Sequence, residues 1–227
     1  MSAAARRPSS WVRDNGLTLA LAGLVVIALV GQALTGWHVE VAERATHGEG
    51  PIGLSAYLVS GPFLSALFEN WESEFLQMWA YVTLTAYLFQ RGSPESKDPD
   101  EDSPQDRDPR KDAKASDAPG PVREGGLLLK VYSHSLGLTL LALFIASFVL
   151  HWLNSARAAA EEATAHGEAV KSTLAYLGDA QLWFESFQNW QSEFLSTALI
   201  VVLGIWLREK GSPESKPVSA PHRQTGA

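Results

Sequence analysis

Apolar and polar positions separate along this chain into long blocks. Leu17 to Trp37 runs for 21 residues without a charge, about 30 Å of helix and enough to cross the hydrocarbon of a bilayer. A comparable block extends from Val131 to Leu153. Phe75 to Phe89 and Phe194 to Leu207 are shorter, at 15 and 14 residues, roughly 21 to 23 Å of helix. To span, these two must continue backward through the polar residues ahead of them, to Asn70 in one case and Gln188 in the other. The first block has a cleavable signal peptide as its competitor, since Arg6, Arg7 and Arg13 precede it. Its apolar run is too long for that reading, and no convincing A-x-A cleavage site follows.

All four blocks lie within a tandem repeat. Residues 47 to 97 are rewritten at 166 to 216 with a constant offset of 119. His47-Gly48-Glu49 returns as His166-Gly167-Glu168, and Tyr57-Leu58 as Tyr176-Leu177. Asn70-Trp71-Glu72-Ser73-Glu74-Phe75-Leu76 returns as Asn189-Trp190-Gln191-Ser192-Glu193-Phe194-Leu195, and Gly92 to Lys97 returns letter for letter as Gly211 to Lys216. A duplicated unit implies one path taken twice. The predicted fold is therefore all-α: a membrane protein with four transmembrane helices, built as two parallel helical-hairpin repeats with pseudo-twofold symmetry. Its segments are a tail at 1–16, repeat 1 at 17–91, a linker at 92–126, repeat 2 at 127–210 and a tail at 211–227. Between the spans of each repeat, Val39 to Thr46 and Ser155 to Ala165 should prolong the preceding helix until Gly48 and Gly167 end it. Short helical pieces near Leu54 to Val59 and Ser172 to Leu177 should follow.

Charge sets the expected orientation. Lys and Arg number three before the first block, eight between the second and third, and four after the last. Only Arg44 lies in the first intervening loop, and Arg157 and Lys171 in the other. The excess of positive charge faces the cytoplasm, so both tails and the linker belong there, and the expected location is a bacterial inner membrane. The linker holds six Pro, ten acidic and six basic residues, which predicts a disordered tether. The formal charge of −7 and the lack of a basic-aromatic cluster exclude a nucleic-acid partner. There is no cysteine, hence no thiolate metal site or cysteine nucleophile.

The Phe68 to Leu76 string, the Gly-Ser-Pro-Glu-Ser-Lys hexads and the Asn15 to Leu19 opening resemble a bacterial integral-membrane family known only as a domain of unknown function. The resemblance implies a small polytopic membrane protein. It brings no activity, substrate or catalytic residue.

Candidate chemistry follows from depth. Glu74 stands 15 residues above Phe89, Glu193 stands 14 above Leu207, Gln32 stands 15 above Leu17 and His151 stands 15 above Leu136. Gln32, Glu74, His151 and Glu193 are thus expected as an intramembrane polar layer, one group per helix, with Asn70 and Asn189 supporting the acids and Trp71 and Trp190 at the interface. Glu69 and Glu72 become Gln188 and Gln191 in the second copy, which keeps hydrogen bonding but drops charge, so only Glu74 and Glu193 are read as required by the repeat itself. The layer supports a structural reading first, as interhelical hydrogen bonds, giving a non-enzymatic structural or interaction component of the envelope. The alternative is a small proton or cation channel or carrier, which would need a homodimer to enclose a path. A membrane metal-binding protein is the third reading, but the HGE spacing suits helix termination better, so no metal ligand and no cofactor is assigned. No nucleophile elbow, phosphate-binding glycine loop or HExxH string occurs, and no enzyme is expected. The lipid bilayer is the one partner read from the chain.

Overall fold

The longest apolar blocks become the longest helices. The computed structural model describes residues 11–226, so Arg6 and Arg7 lie outside the described residues. Helix α1 (Trp11–Asp14) leads into α2 (Gly16–Thr46), and α3 (Leu54–Tyr57) and α4 (Gly61–Tyr87) follow. After the linker come α5 (Gly120–Glu124), α6 (Gly126–Ser133), α7 (Ser135–Ala165), α8 (Thr173–Tyr176) and α9 (Ala180–Leu203). The fold is all-helical among the described residues. The chain divides into two compact units, Met1–Leu64 and Ser65–Ala227.

Helices α2 and α7 have 31 residues each, about 46 Å, and their bounds differ by the repeat offset of 119. Both begin after a non-helical residue, Asn15 at φ −120° and His134 at φ −119°. The expected span from Val131 is therefore interrupted at His134. Both also end alike. His47 and His166 sit at the C-cap, Gly48 and Gly167 take φ of 74° and 69°, and Glu49 and Glu168 donate their N–H to Arg44 O and Ala163 O at 2.8 Å. The bond from the residue after glycine to the carbonyl five positions back is a Schellman closure, which needs the left-handed glycine. The HGE strings are helix terminators.

Among the described residues, α2 and α7 are the two helices long and apolar enough to cross a membrane, where the sequence led us to expect four. Helices α4 and α9 reach 27 and 24 residues and do run backward through the Asn-Trp motif. What they lack is apolar content: α4 carries Glu69, Glu72 and Glu74, and α9 carries Glu185 and Glu193.

In the first unit, Trp37 donates its indole N–H to Ile52 O at 2.8 Å, and Tyr57 is buried so close to α2 that a Cβ on Gly36 would collide with its hydroxyl. In the second unit, Trp152 donates to Thr173 O at 2.9 Å, and Tyr176 is buried with Ala156 and Leu182.

The linker, expected as a disordered tether, instead takes two single-turn 3-10 helices, Pro104–Asp106 and Pro109–Asp112, before α5. Local ion pairs hold it: Arg91 bonds Asp100, and Lys97 joins Asp106 at 2.8 Å while also donating to Ala86 O. Ala118, Val122 and Leu129 add a small buried cluster. The two hexads adopt the same turn. Ser96 and Ser215 accept the N–H of Gln90 and Glu209 at 2.9 Å, with Gly92 and Gly211 at φ of 82° and 92°. They differ in what covers them. Lys216 is 1% exposed and donates to the carbonyls of Gly92, His222 and Gln224, while Gly226 N–H reaches Ser93 O. The C-terminal tail is thereby strapped across the first hexad.

Candidate functional site

Ser147, His151 and Ser155 recur every four residues on α7 and are all buried, a polar stripe on one face of the helix. Two other helices answer it. From α4 come Ser65, Glu69 and Glu72, spaced four and three, and from α9 come Glu185, Asn189 and Trp190. His151 is 0% exposed and lies between two carboxylates, its Nδ1 at 3.0 Å from Glu72 Oε2 and its Nε2 at 3.3 Å from Glu185 Oε2.

Each acid is held by a further donor. Glu72, also 0% exposed, accepts the indole N–H of Trp190 at 3.1 Å through Oε1. Glu185 accepts from Ser155 Oγ at 3.0 Å and from Gln181 Nε2 at 2.8 Å. Glu69 accepts from Asn189 Nδ2. Ser65 and Ser155 share a hydrogen bond at 2.8 Å, so α4 and α7 approach closely through small residues. The Trp190 ring is fixed by Phe187 at 5.2 Å and by Phe144 at 6.2 Å. At the rim, burial and then the charge of Glu185 push the Tyr176 phenol above its ordinary value.

Three carboxylates thus surround one imidazole. Helices α4 and α9 contain no Lys or Arg, and the one such residue on α7, Arg157, bonds Glu161 at 2.9 Å. Even with His151 as an imidazolium the ionised cluster carries two net negative charges. Burying unpaired charge costs several kcal/mol per ion, a cost that protonation of a carboxylate or a bound cation would offset.

The structure places the sequence-predicted residues unevenly. His151 is central, and Asn189 and Trp190 reach the cluster from α9. Glu74 is exposed, and Glu193 is half-buried with its backbone carbonyl accepting Gln77 Nε2 at 2.8 Å. Gln32 is half-buried on α2, within the first unit. Asn70 is exposed and bonds Ala66 O in its own helix, and Trp71 is 39% exposed with its ring edge-on to Phe68. The acids that pair with His151 are therefore Glu72 and Glu185, and the expected layer of Glu74 and Glu193 is corrected. Depth along an axis does not give direction around it. Two residues on an α-helix differ by about 200°, so when Glu72 faces α7, Glu74 points away. The reading that the repeat singles out Glu74 and Glu193 misses Glu69 and Glu72, because the cluster is built from positions the copies do not share. Their counterparts Gln188 and Gln191 are exposed, and the counterpart of Glu185 is Ala66. The missed signal was a shared helical face: Ser65-Glu69-Glu72 on one helix and Gln181-Glu185-Asn189 on another. Sequence reasoning assigned no metal ligand. The fold nonetheless brings one ligand atom each from Glu69, His151 and Glu185 within 4.8 Å of one another.

Comparison with curated proteins and with solved structures yields no match. A family model does match, over residues 8–227, and the chain belongs to that family, described as a domain of unknown function (DUF6766).

Proposed function

We propose that this chain is a non-enzymatic helical membrane protein that takes up a cation, a proton or a metal ion, in the buried cluster around His151. In this reading α4 and α9 are the second and fourth spans. Their lengths, about 40 and 36 Å, suffice for hydrocarbon, and Glu69, Glu72 and Glu185 turn inward. The Lys and Arg distribution then puts both tails and the linker in the cytoplasm of a bacterial cell, at its inner membrane. The observation that carries the proposal is the 0% exposed pair of His151 and Glu72 beside two further carboxylates. Intramembrane ionisable groups that face a bundle interior mark ion pathways and proton relays. Movement of the ion across the bilayer would take a second copy, since few helices enclose no wide path alone.

A purely structural role is the second reading, favoured by the interhelical bonds of Ser65 with Ser155 and of Gln77 with Glu193. Purified full-length chain in proteoliposomes separates the two. We expect uptake of protons or of sodium, calcium, zinc or manganese above empty vesicles, abolished by Glu72→Gln with Glu185→Gln while the helical circular-dichroism signal persists. Wild-type vesicles indistinguishable from empty ones, with no cation bound at equilibrium, would leave the structural reading alone.

A further inference from the structure

We propose that Glu69, His151 Nε2 and Glu185 form a binding site for a divalent transition-metal ion of the zinc, manganese or iron(II) class, with Glu72 and Trp190 as positioning residues. The inference rests on the cation reading above and narrows it to one ligand class.

Trp190 Nε1 can only donate, so it binds Glu72 Oε1 as an acceptor. In a metal-loaded site the other Glu72 oxygen would take the N–H of His151 Nδ1, 3.0 Å away. In the neutral ring this leaves the Nε2 lone pair directed at Glu185 and Glu69. A carboxylate holding the far nitrogen of a histidine is the arrangement that orients metal-ligating imidazoles and raises their basicity.

The remaining ligands are oriented in the same way. Ser155 and Gln181 hold the two oxygens of Glu185, and Asn189 holds one oxygen of Glu69. The separation of 3.3 Å between His151 Nε2 and Glu185 Oε2 is that of neighbouring ligands on one small ion. Ligands about 2.1 Å from a common ion lie at most about 4.2 Å apart. Tetrahedral coordination would bring all three to about 3.4 Å of one another, so the set, within 4.8 Å, closes by up to roughly 1.4 Å of side-chain motion.

Ligand chemistry selects the ion. One imidazole nitrogen with two carboxylates suits borderline divalent metals, and the absence of cysteine removes the soft thiolate that would favour copper(I). Magnesium and calcium prefer all-oxygen shells. A divalent ion with neutral His151 also leaves one net negative charge where the imidazolium leaves two. Three protein ligands keep a coordination position open for water or a further ligand.

Full-length protein in detergent, stripped with chelator and dialysed separately against zinc, manganese(II) and cobalt(II), tests this by metal analysis and titration calorimetry. We expect one metal per chain, X-ray absorption showing one imidazole among oxygen ligands, and loss of binding in Glu69→Gln with Glu185→Gln. Glu72→Gln should retain the site with affinity 10- to 100-fold weaker, and Glu74→Gln with Glu193→Gln should change nothing. Wild-type protein binding none of the three metals below millimolar concentration overturns the proposal, as does binding without imidazole. If such protein still takes up protons or sodium, the cation reading survives and only the metal assignment falls.

Discussion

The motif at Asn70–Leu76 on α4 and its copy at Asn189–Leu195 on α9 share nearly every letter and almost none of their surroundings. Trp190 is packed among Phe144 and Phe187 and bonds Glu72, whereas Trp71 stands partly in the open. Asn189 crosses to Glu69, while Asn70 bonds its own helix. What survives in both copies is strictly local: Ser73 and Ser192 each donate to the carbonyl three residues back, at 2.8 Å. Repetition preserves what a helix does to itself. The buried polar cluster is assembled where the copies diverge, at Glu69, Glu72, His151, Ser155 and Glu185.

Substitution of the two motifs at matched positions can break that contrast. Removing Glu72 with alanine takes away one partner of a buried ion pair and should cost about 3 to 5 kcal/mol. Gln191→Ala, at an exposed position, should stay within about 0.5 kcal/mol. Chemical unfolding in detergent measures both, and equal losses would erase the distinction. Trp190→Phe keeps the ring but strips Glu72 of a donor, a loss of about 1 to 3 kcal/mol, while Trp71→Phe should be nearly silent in the same assay. Ser155→Ala, at the position where the first copy has Gly36, removes bonds to Ser65 and Glu185 and should cost roughly 0.6 to 1.7 kcal/mol by the same unfolding measurement.

The smallest effect concerns the helix starts. Asp179 caps α9 by accepting Gln181 N–H, and Lys171 first, then that backbone bond, holds its carboxyl below the ordinary value. The corresponding residue before α4 is Ser60. A depressed carboxyl contributes its stabilisation above the unfolded value near 4 and loses it as pH falls further. Amide hydrogen exchange between pH 5 and pH 3, after correction for intrinsic rates, should show the start of α9 loosening in acid. Asp179→Asn should remove that dependence without altering the start of α4.

The stopping points of the helices were legible because they are local. Gly48 and Gly167 must occupy a left-handed conformation, so the HGE strings and the short helices after them fall where the sequence places them. The break at His134 was not foreseen, since that residue is neither a glycine nor a proline that would announce one. His151 was singled out by its depth, 15 residues above Leu136 in its apolar block. Its partners were missed because rotational phase depends on which helices become neighbours, and distance along the chain carries no trace of that. The linker misled for another reason. Average composition cannot register that Lys97 and Asp106, nine residues apart, meet.

Lys216, Thr225 and Gly226 all reach back to Gly92 and Ser93, so the hydrophilic connector is bridged at its entrance by bonds that do not run through it. A cut within residues 107–117 would sever the covalent thread and leave this bridge intact. Two separately produced fragments, parted in that stretch, should therefore find each other and co-purify.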